Sequence, residues 1–539
     1  MEKLLNRLRV MGVELGLEND RLTLNIPAGM ETAGILEEVR LQKQELIEYI
    51  RNAKQVYTES ATEGSWFNQK TFEAPAEDTQ RFEPFEAPAP VAKEYIRYCV
   101  VGPFANNLVL QHMHQELNTA AFEQALQWLL ERHESLRCTV FLRHGTVYQQ
   151  TRAVFSAAEL IHFTDVAHLP EKDAVVQSIV ERETKRKFNL EKGPLLAVHI
   201  VRYSDRLTGV LLVIHHIVSD EETLRIIEAE LQHLYQQALG NKLPPLPPLP
   251  VQFREYAIWV RRFSHGEEAG EARRFFIEQV LNSLQENDEP ISGYTDAYHD
   301  VLFNELERYH IGRNSELAVH AIGRLVNIYV PPGSIYTCCP GTETLNRLQQ
   351  FAQQQHTSVF TILLAAMAIT LGRFQKQQNQ RIYIPFSGRV TDTLAPLTGW
   401  LTGEVILCLP VPGEISAHQL FADTANRLSE AARYRFFPHE ELLAITDLPL
   451  RVLAPAFINY IQANQSTAPE PGAFHEENGS GHFPFACTIT TYPNGICFKT
   501  HYNNTLYTPA DIELIFNRFF SLLQWMPHNA HEPLLQFSY

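Results

Sequence analysis

At 539 residues the chain is too long for one hydrophobic core and predicts about three folding units. Apolar residues make up 45% and charged residues 20%, the balance of an ordinary globular protein rather than a disordered or fibrous one. A net charge of −17, from 45 basic against 62 acidic side chains, argues against a nucleic-acid partner, while leaving room for a local basic patch facing a phosphorylated cofactor arm.

Cys99, Cys138, Cys338, Cys339, Cys408, Cys487 and Cys497 are scattered and form no CxxC pair. That pattern speaks against a zinc site or a disulfide framework and fits a reducing, cytoplasmic setting. The N-terminus lacks the uninterrupted apolar stretch of a secretory signal, and no segment is built to cross a membrane.

Leu4, Leu5, Leu8 and Met11 recur at helical spacing. Alternation over residues 13–17 and 22–26, around a polar turn, predicts a β-hairpin that Pro27 ends. Ile35, Val39, Leu46, Ile47 and Ile50 stripe a second helix. This αββα unit is near the lower size limit for independent folding. Its two-stranded sheet leaves an edge that a partner strand can join, although simple packing on the main body would use the same residues. Residues 53–90 show no periodicity and predict a linker, with Trp66, Phe67, Phe72, Phe82 and Phe85 as anchors.

From Val91 the pattern becomes globular. It predicts a helix over 119–133, a strand over 139–142, and a hairpin of strands 195–203 and 209–216. A helix over 221–238 follows, then the proline-rich run 243–250, read as a rigid crossing segment rather than a polyproline ligand. Another helix begins at Phe253, and residues 285–325 carry no periodic signal. Helices near 344–355 and 358–374, a strand near 381–385, a loop entering a strand over 399–410, strands near 457–460, 487–491 and 496–502, and a last helix over 509–525 complete the chain. Residues 91–265 and 266–539 therefore read as two α/β halves.

The stretch 209–224 concentrates the chemistry. An apolar strand runs into His215 and His216, and a helix follows at once. Alternation puts His215 with Leu211 and Val213, and His216 with Leu212 and Ile214, on opposite faces. The pair therefore cannot chelate one metal, and no HExxH spacing occurs. Ser219 and Glu222 fit a capping box, with Asp220 and Glu221 in the first helical turn. On these residues alone, a capped helix behind a buried strand explains the pattern as well as an active site does.

Leu4-Leu5, Gly12-Val13, Asp20-Arg21-Leu22, Pro27-Ala28-Gly29 and Lys43-Gln44-Glu45-Leu46 resemble the N-terminal docking domain of tubulysin-synthetase type over residues 1–52. Such domains hold the C-terminal tail of an upstream synthetase, which by resemblance assigns Leu22, Thr23, Leu24, Asn25 and Ile26 to partner binding. Residues 91–539 resemble condensation domains of non-ribosomal peptide synthetases. The carriers of that resemblance are Arg132-His133-Glu134-Ser135-Leu136-Arg137, the HHxxxD motif from His215 to Asp220, and Phe253-Arg254-Glu255-Tyr256-Ala257-Ile258-Trp259. Ile384-Pro385-Phe386-Ser387-Gly388-Arg389, Gly399-Trp400-Leu401-Thr402-Gly403-Glu404 and Ala456-Phe457-Ile458-Asn459-Tyr460 follow in the family's order.

The resemblance implies an α/β fold of two chloramphenicol-acetyltransferase-like lobes in a V-shaped pseudodimer with a tunnel between them. It implies an amide-forming acyltransferase with no cofactor or metal of its own. The donor thioester rides on the phosphopantetheine of a partner carrier domain. His216 becomes the base or orienter for the attacking amine, with His215 and Asp220 completing the motif. Asp220 is expected to be braced by Arg389, with Arg137 as second choice. Glu221, Ser219 and Trp400 are assigned to the acceptor side.

Departures from the family pattern sharpen the expectation. The first motif is absent around Ala92-Lys93-Glu94-Tyr95-Ile96-Arg97, the sixth is reduced to Phe437-Pro438-His439-Glu440, and Glu221 replaces a glycine. First-turn helix charge explains Glu221 most simply, and attraction of an ammonium-bearing acceptor is the functional alternative. No Gly-Gly occurs, so no carrier motif is present, and nothing resembling an adenylation domain follows. These features predict a monomeric terminal condensation enzyme, of the kind found in rhabdopeptide-like assembly lines. It would pass a peptidyl chain to a free small amine, aromatic amines included. A carrier-bound aminoacyl acceptor supplied in trans and a catalytically silent docking platform are the rival expectations.

Overall fold

In the computed structural model the described residues are 14–18, 21–25, 82–101, 107–144, 146–241, 243–265, 267–284, 332–411, 413–437, 442, 453–463, 471–480 and 483–537. The helices expected over 3–11 and 35–50, Ile26, most of the 53–90 linker, residues 285–325 and Pro438 to Glu440 lie outside them. The chain divides into two compact units, residues 1–71 with 356–358, and the remainder.

In the first unit the expected hairpin forms. Strands β1 (Glu14–Glu18) and β2 (Arg21–Asn25) pair antiparallel, with Leu15 opposite Leu24 and Leu17 opposite Leu22. The second unit begins earlier than the sequence suggests. Strand β3 (Phe85–Glu86) bonds to a later strand, Phe85 is 5% exposed, and helix α1 (Ala89–Val101) starts at once. Residues 85–90 therefore belong to the folded unit rather than to a linker. A two-residue strand is too short to show periodicity.

The first lobe continues through β4 (Asn107–Gln115), α2 (Thr119–Arg132), β5 (Cys138–Arg143), β6 (Thr146–Thr151) and β7 (Ile161–Asp165). Helix α3 (Lys172–Thr184), β8 (Leu196–Ser204), β9 (Leu207–His215), α4 (Glu221–Ala238) and α5 (Phe253–His265) complete it. One sheet has the order β4-β9-β8-β7 and the other β3-β6-β5. Strands β8 and β9 form the predicted hairpin, Ala197 opposite Val213. Val210 to Ile214 are all buried, so both faces of β9 are covered, as a continuous apolar run requires.

The second lobe is built on a seven-stranded mixed sheet. Helix α6 (Glu267–Ser283) sends Ala272, Phe276 and Val280 into its core. Then come β10 (Pro332–Cys339), α7 (Thr342–Gln354), α8 (Val359–Gln375), β11 (Asn379–Phe386), β12 (Gly403–Pro410) and α9 (Ala417–Ala432). Strands β13 (Ala456–Gln462), β14 (Gly472–Ser480), β15 (Phe485–Tyr492) and β16 (Gly495–Asn503) and helix α10 (Pro509–Trp525) finish it. The strand order is β12-β11-β13-β15-β16-β10-β14. Helix α8 is buried along almost its whole length, which is why it is apolar on every side. Among the described residues no single helix is long and apolar enough to cross a membrane.

A disulfide joins Cys339 and Cys497, on the neighbouring strands β10 and β16, one position beyond the paired Cys338 and Phe498. The two lie 158 residues apart in sequence, so spacing alone could not pair them. Cys138, Cys338, Cys408 and Cys487 are free and buried.

Candidate active site

The apolar run of β9 ends where its ladder ends. The His215 amide donates to the Leu195 carbonyl at 2.9 Å. The His215 ring is buried, with Tyr98 and Phe188 edge-on at 6.1 Å each, and its Nδ1 accepts the Ile217 amide at 3.1 Å. That bond starts a single 3-10 turn over His216–Val218. His215 thus shapes the corner, and His216, on the other side, stays partly exposed.

His216 is held in one tautomer. Its Nδ1 lies 2.7 Å from the Ser219 carbonyl oxygen, which can only accept, so Nδ1 carries the proton. Nε2 is then an unprotonated acceptor, and no described residue bonds it. The Trp400 ring lies over the imidazole, centroids 4.2 Å apart at 33°. The arrangement leaves one nitrogen lone pair on a ring with little freedom to turn, the requirement for taking a proton from an amine.

The helix after the corner is capped one residue later than the sequence suggests. Asp220, not Ser219, is the N-cap of α4, accepting the Thr223 amide at 2.9 Å. Ser219 is fully buried and its hydroxyl donates to the His215 carbonyl at 3.0 Å, so it braces the corner rather than facing an acceptor. The S-x-x-E and D-x-x-T patterns are offset by one position, and burial decides between them.

Asp220 is the hub that ties the lobes together. Arg389 donates Nη1 to Oδ2 and Nη2 to Oδ1, both at 2.9 Å. Thr223 Oγ1 lies 2.7 Å from Oδ1, the Leu401 amide donates to Oδ2 at 3.0 Å and Thr402 Oγ1 at 3.2 Å. Burial pushes this carboxyl up, and the guanidinium and the Thr223 donors more than reverse that, holding it below the usual carboxylate range. Arg137 serves elsewhere, donating to the Leu130 carbonyl at 2.8 Å and the Arg152 carbonyl at 2.5 Å, so the brace is Arg389.

The segment 387–402 leaves the second lobe after β11 and lies against the first. Gly399 has φ +135, and a Cβ there would stand 2.1 Å from the Phe253 ring, so this turn admits only glycine. Its amide donates to Thr223 Oγ1 at 3.0 Å. Tyr256 OH donates to the Leu401 carbonyl at 3.1 Å. Thr223, Thr398 and Tyr256 do not stand out in the sequence as site residues. The clue for Thr223 is its place three residues after an aspartate at a helix start.

Glu221 opens α4 beside His216, within electrostatic reach of it. Solvent reaches this side chain, yet burial pushes its carboxyl up, with Arg225 opposing and Asp220 reinforcing. Glu221 makes no hydrogen bond or ion pair among the described residues.

Two lobes joined through such a hub, with a histidine poised at their junction, define an acyl-transfer site of condensation type. The family model described as Condensation domain matches residues 105–292 and 334–539, and that described as TubC N-terminal docking domain matches 1–52. The chain belongs to the condensation-domain family, amide-forming acyltransferases of non-ribosomal peptide synthesis that act on substrates held on the phosphopantetheine of partner carrier domains, and it carries a TubC-type docking domain. A linear gramicidin synthase from Brevibacillus parabrevis is 25% identical over 433 residues, 78% of this chain and 5% of its own length. Bacitracin synthase 1 of Bacillus licheniformis is 21% identical over 432 residues, 78% of this chain and 7% of its own length. The chain thus spans a small part of the curated relatives it matches.

Solved structures extend the likeness to the fold. The condensation domain that mediates chain release from the enacyloxin polyketide synthase superposes with a TM-score of 0.64 at 17% identity, covering 97% of this chain and 95% of that one. The EpoB cyclization-docking bidomain from Sorangium cellulosum gives 0.61 at 16%, covering 99% and 100%. The fold is the two-lobed chloramphenicol-acetyltransferase type that the sequence motifs imply.

Proposed function

We propose that the chain joins a carrier-bound peptidyl thioester to a free small amine and so releases the product. The observation that carries this reading is Glu221, an unbonded carboxylate beside His216 where the family motif has glycine. A free alkylamine, with a pKa of about 10 like that of lysine, arrives as an ammonium and needs a counter-charge at the site. Its nitrogen, having given one proton to solvent, attacks the thioester carbonyl while His216 Nε2 takes a second. The C–N bond forms, the C–S bond breaks, and the sulfur takes that proton back from Nε2 and leaves as the carrier's thiol. The thioester is already activated, so proximity and proton removal supply most of what is needed. Chain release by this fold has a precedent in the enacyloxin synthase domain.

Glu221→Gln is expected to raise the amine KM by about tenfold while kcat changes little, the signature of lost ground-state binding. Steady-state kinetics with a peptidyl thioester and an amine series check this, and an unchanged KM sinks the reading. Comparing acceptors in wild type tests the rival: a carrier-bound aminoacyl acceptor used better than any free amine would favour condensation in trans.

The donor reaches this site through the upstream synthetase, whose C-terminal tail adds to the hairpin at Leu22, Thr23, Leu24, Asn25 and Ile26, with the enzyme acting as a cytoplasmic monomer. Thr23→Pro removes a backbone donor from the edge strand. Its expected result is at least about tenfold weaker binding of the tail peptide by calorimetry. Turnover of a small-molecule thioester donor should stay at the wild-type level. Equal tail affinity in both proteins would move the contact off this edge.

A further inference from the structure

Helix α4 carries a second carboxylate, half-buried, that takes no part in the proton transfer at His216. Glu230 Oε2 accepts Arg132 Nε at 2.9 Å and lies 2.6 Å from His133 Nε2. His133 is fully buried, and its other nitrogen, Nδ1, lies 3.1 Å from Thr398 Oγ1. Thr398 Oγ1 is in turn 2.5 Å from Ser135 Oγ. The Glu230 carboxylate can only accept, so His133 Nε2 carries a proton, and Nδ1 is joined to the Thr398 hydroxyl and through it to Ser135. Thr398 is 1% exposed and lies two positions before Trp400.

We infer that His133 and Thr398 are positioning residues for amide formation: the Glu230–His133–Thr398 chain fixes one end of the turn that lays Trp400 against His216. The other end is fixed separately, through the Leu401 amide on Asp220. Gly399 between them donates its amide to Thr223 Oγ1. The Trp400 ring stacks on His216, and the anchored backbone on either side of it sets where the indole lies. In that place it restrains the imidazole to the plane in which Nδ1 meets the Ser219 carbonyl and Nε2 faces outward. It also offers its face to the imidazolium that forms when Nε2 takes the amine proton. Loosening Thr398 frees the indole and, through it, the imidazole.

This inference rests on His216 being the residue that meets the amine, so its test includes a readout independent of turnover. The chain has five tryptophans, and the difference between wild type and Trp400→Phe isolates the Trp400 emission. Acrylamide quenching of that emission reports how firmly the indole is held. Thr398→Val keeps shape and removes the hydroxyl, whereas Thr398→Ser keeps it. The expected result is that Thr398→Val raises the quenching constant of Trp400 by at least about twofold and lowers kcat by about tenfold with donor KM unchanged. Thr398→Ser should restore both. In a Trp400→Leu background, Thr398→Val should cost nothing further, because the two act in series. A wild-type quenching constant in Thr398→Val, equal changes in the valine and serine variants, or full additivity with Trp400→Leu each overturns the inference. The expected quenching series without turnover of any amine upholds it and overturns the release reaction instead.

Discussion

Replacing His216 by alanine lowers kcat for amide formation by about a hundredfold to ten-thousandfold, the range expected for removing a positioned base. The site contains the reasons for a loss of that size. Nδ1 is committed to the Ser219 carbonyl at 2.7 Å, so Nε2 alone can receive the amine proton. No other described histidine stands at the corner with a free nitrogen, because His215 is buried with Nδ1 spent on the Ile217 amide. What survives in His216→Ala is the enzyme's hold on two reactants, which still exceeds the solution reaction. The measurement is single-turnover product formation from a peptidyl thioester at saturating amine. A variant within about tenfold of wild type would reduce His216 to an orienting hydrogen bond.

Much of this architecture is legible in the sequence where one physical signal dominates. The predicted helices over 221–238 and 509–525 have the bounds observed for α4 and α10, since each combines a strong apolar stripe with a capping side chain. The β8–β9 hairpin is readable because both strands are buried on both faces. Strand β14 gives no signal. It is a polar strand at the edge of the seven-stranded sheet, and a register shift interrupts its pairing with β10 at Gly333/Ser334. Strand β4, also an edge, alternates with His112 and His114 rather than with apolar side chains, and escapes notice for the same reason.

The site divides along a similar line. Charged residues in motifs can be matched in pairs, as Asp220 and Arg389 are, although 169 positions separate them. Hydroxyls cannot. Thr398 meets His133 across 265 positions, and nothing in the local composition marks it. A threonine acquires a role from what the fold brings to it, whereas an aspartate at a strand end advertises a desolvation cost that some partner must offset. Glu221 is the intermediate case. Its position is conspicuous as a departure from a motif, but only the structure sets it within electrostatic reach of His216 with no hydrogen-bond partner of its own among the described residues.

Arg389→Ala destabilises the protein by about 3–5 kcal/mol at neutral pH, because it strands a buried carboxylate rather than simply deleting a bond. The two side chains are 4% and 2% exposed, so water cannot take the guanidinium's place without opening the lobe junction. The sign of the pH dependence identifies the cause. In wild type the Asp220 carboxyl lies below its ordinary value, burial raising it and Arg389 lowering it further than burial raises it. Its contribution to stability is therefore fully present above the unfolded pKa of about 3.9 and is lost as pH falls through the lower folded value. Without Arg389 the largest opposing influence is gone and burial pushes the carboxyl up, so the variant is most destabilised above that raised value and recovers as the group takes a proton. The difference in unfolding free energy between wild type and variant should thus be largest near pH 7 and narrow steadily towards pH 4. Arg389→Lys keeps the charge but cannot reach both carboxylate oxygens and the Leu397 carbonyl at once, as Arg389 does with Nη1, Nη2 and Nε, and should fall between the two. Denaturant unfolding at several pH values tests all three proteins. A deficit below about 1 kcal/mol at pH 7 would mean that the pair only breaks even against its desolvation. A deficit equal at both ends of the range would assign the loss to packing, and the hub would then be a shape and not a charge.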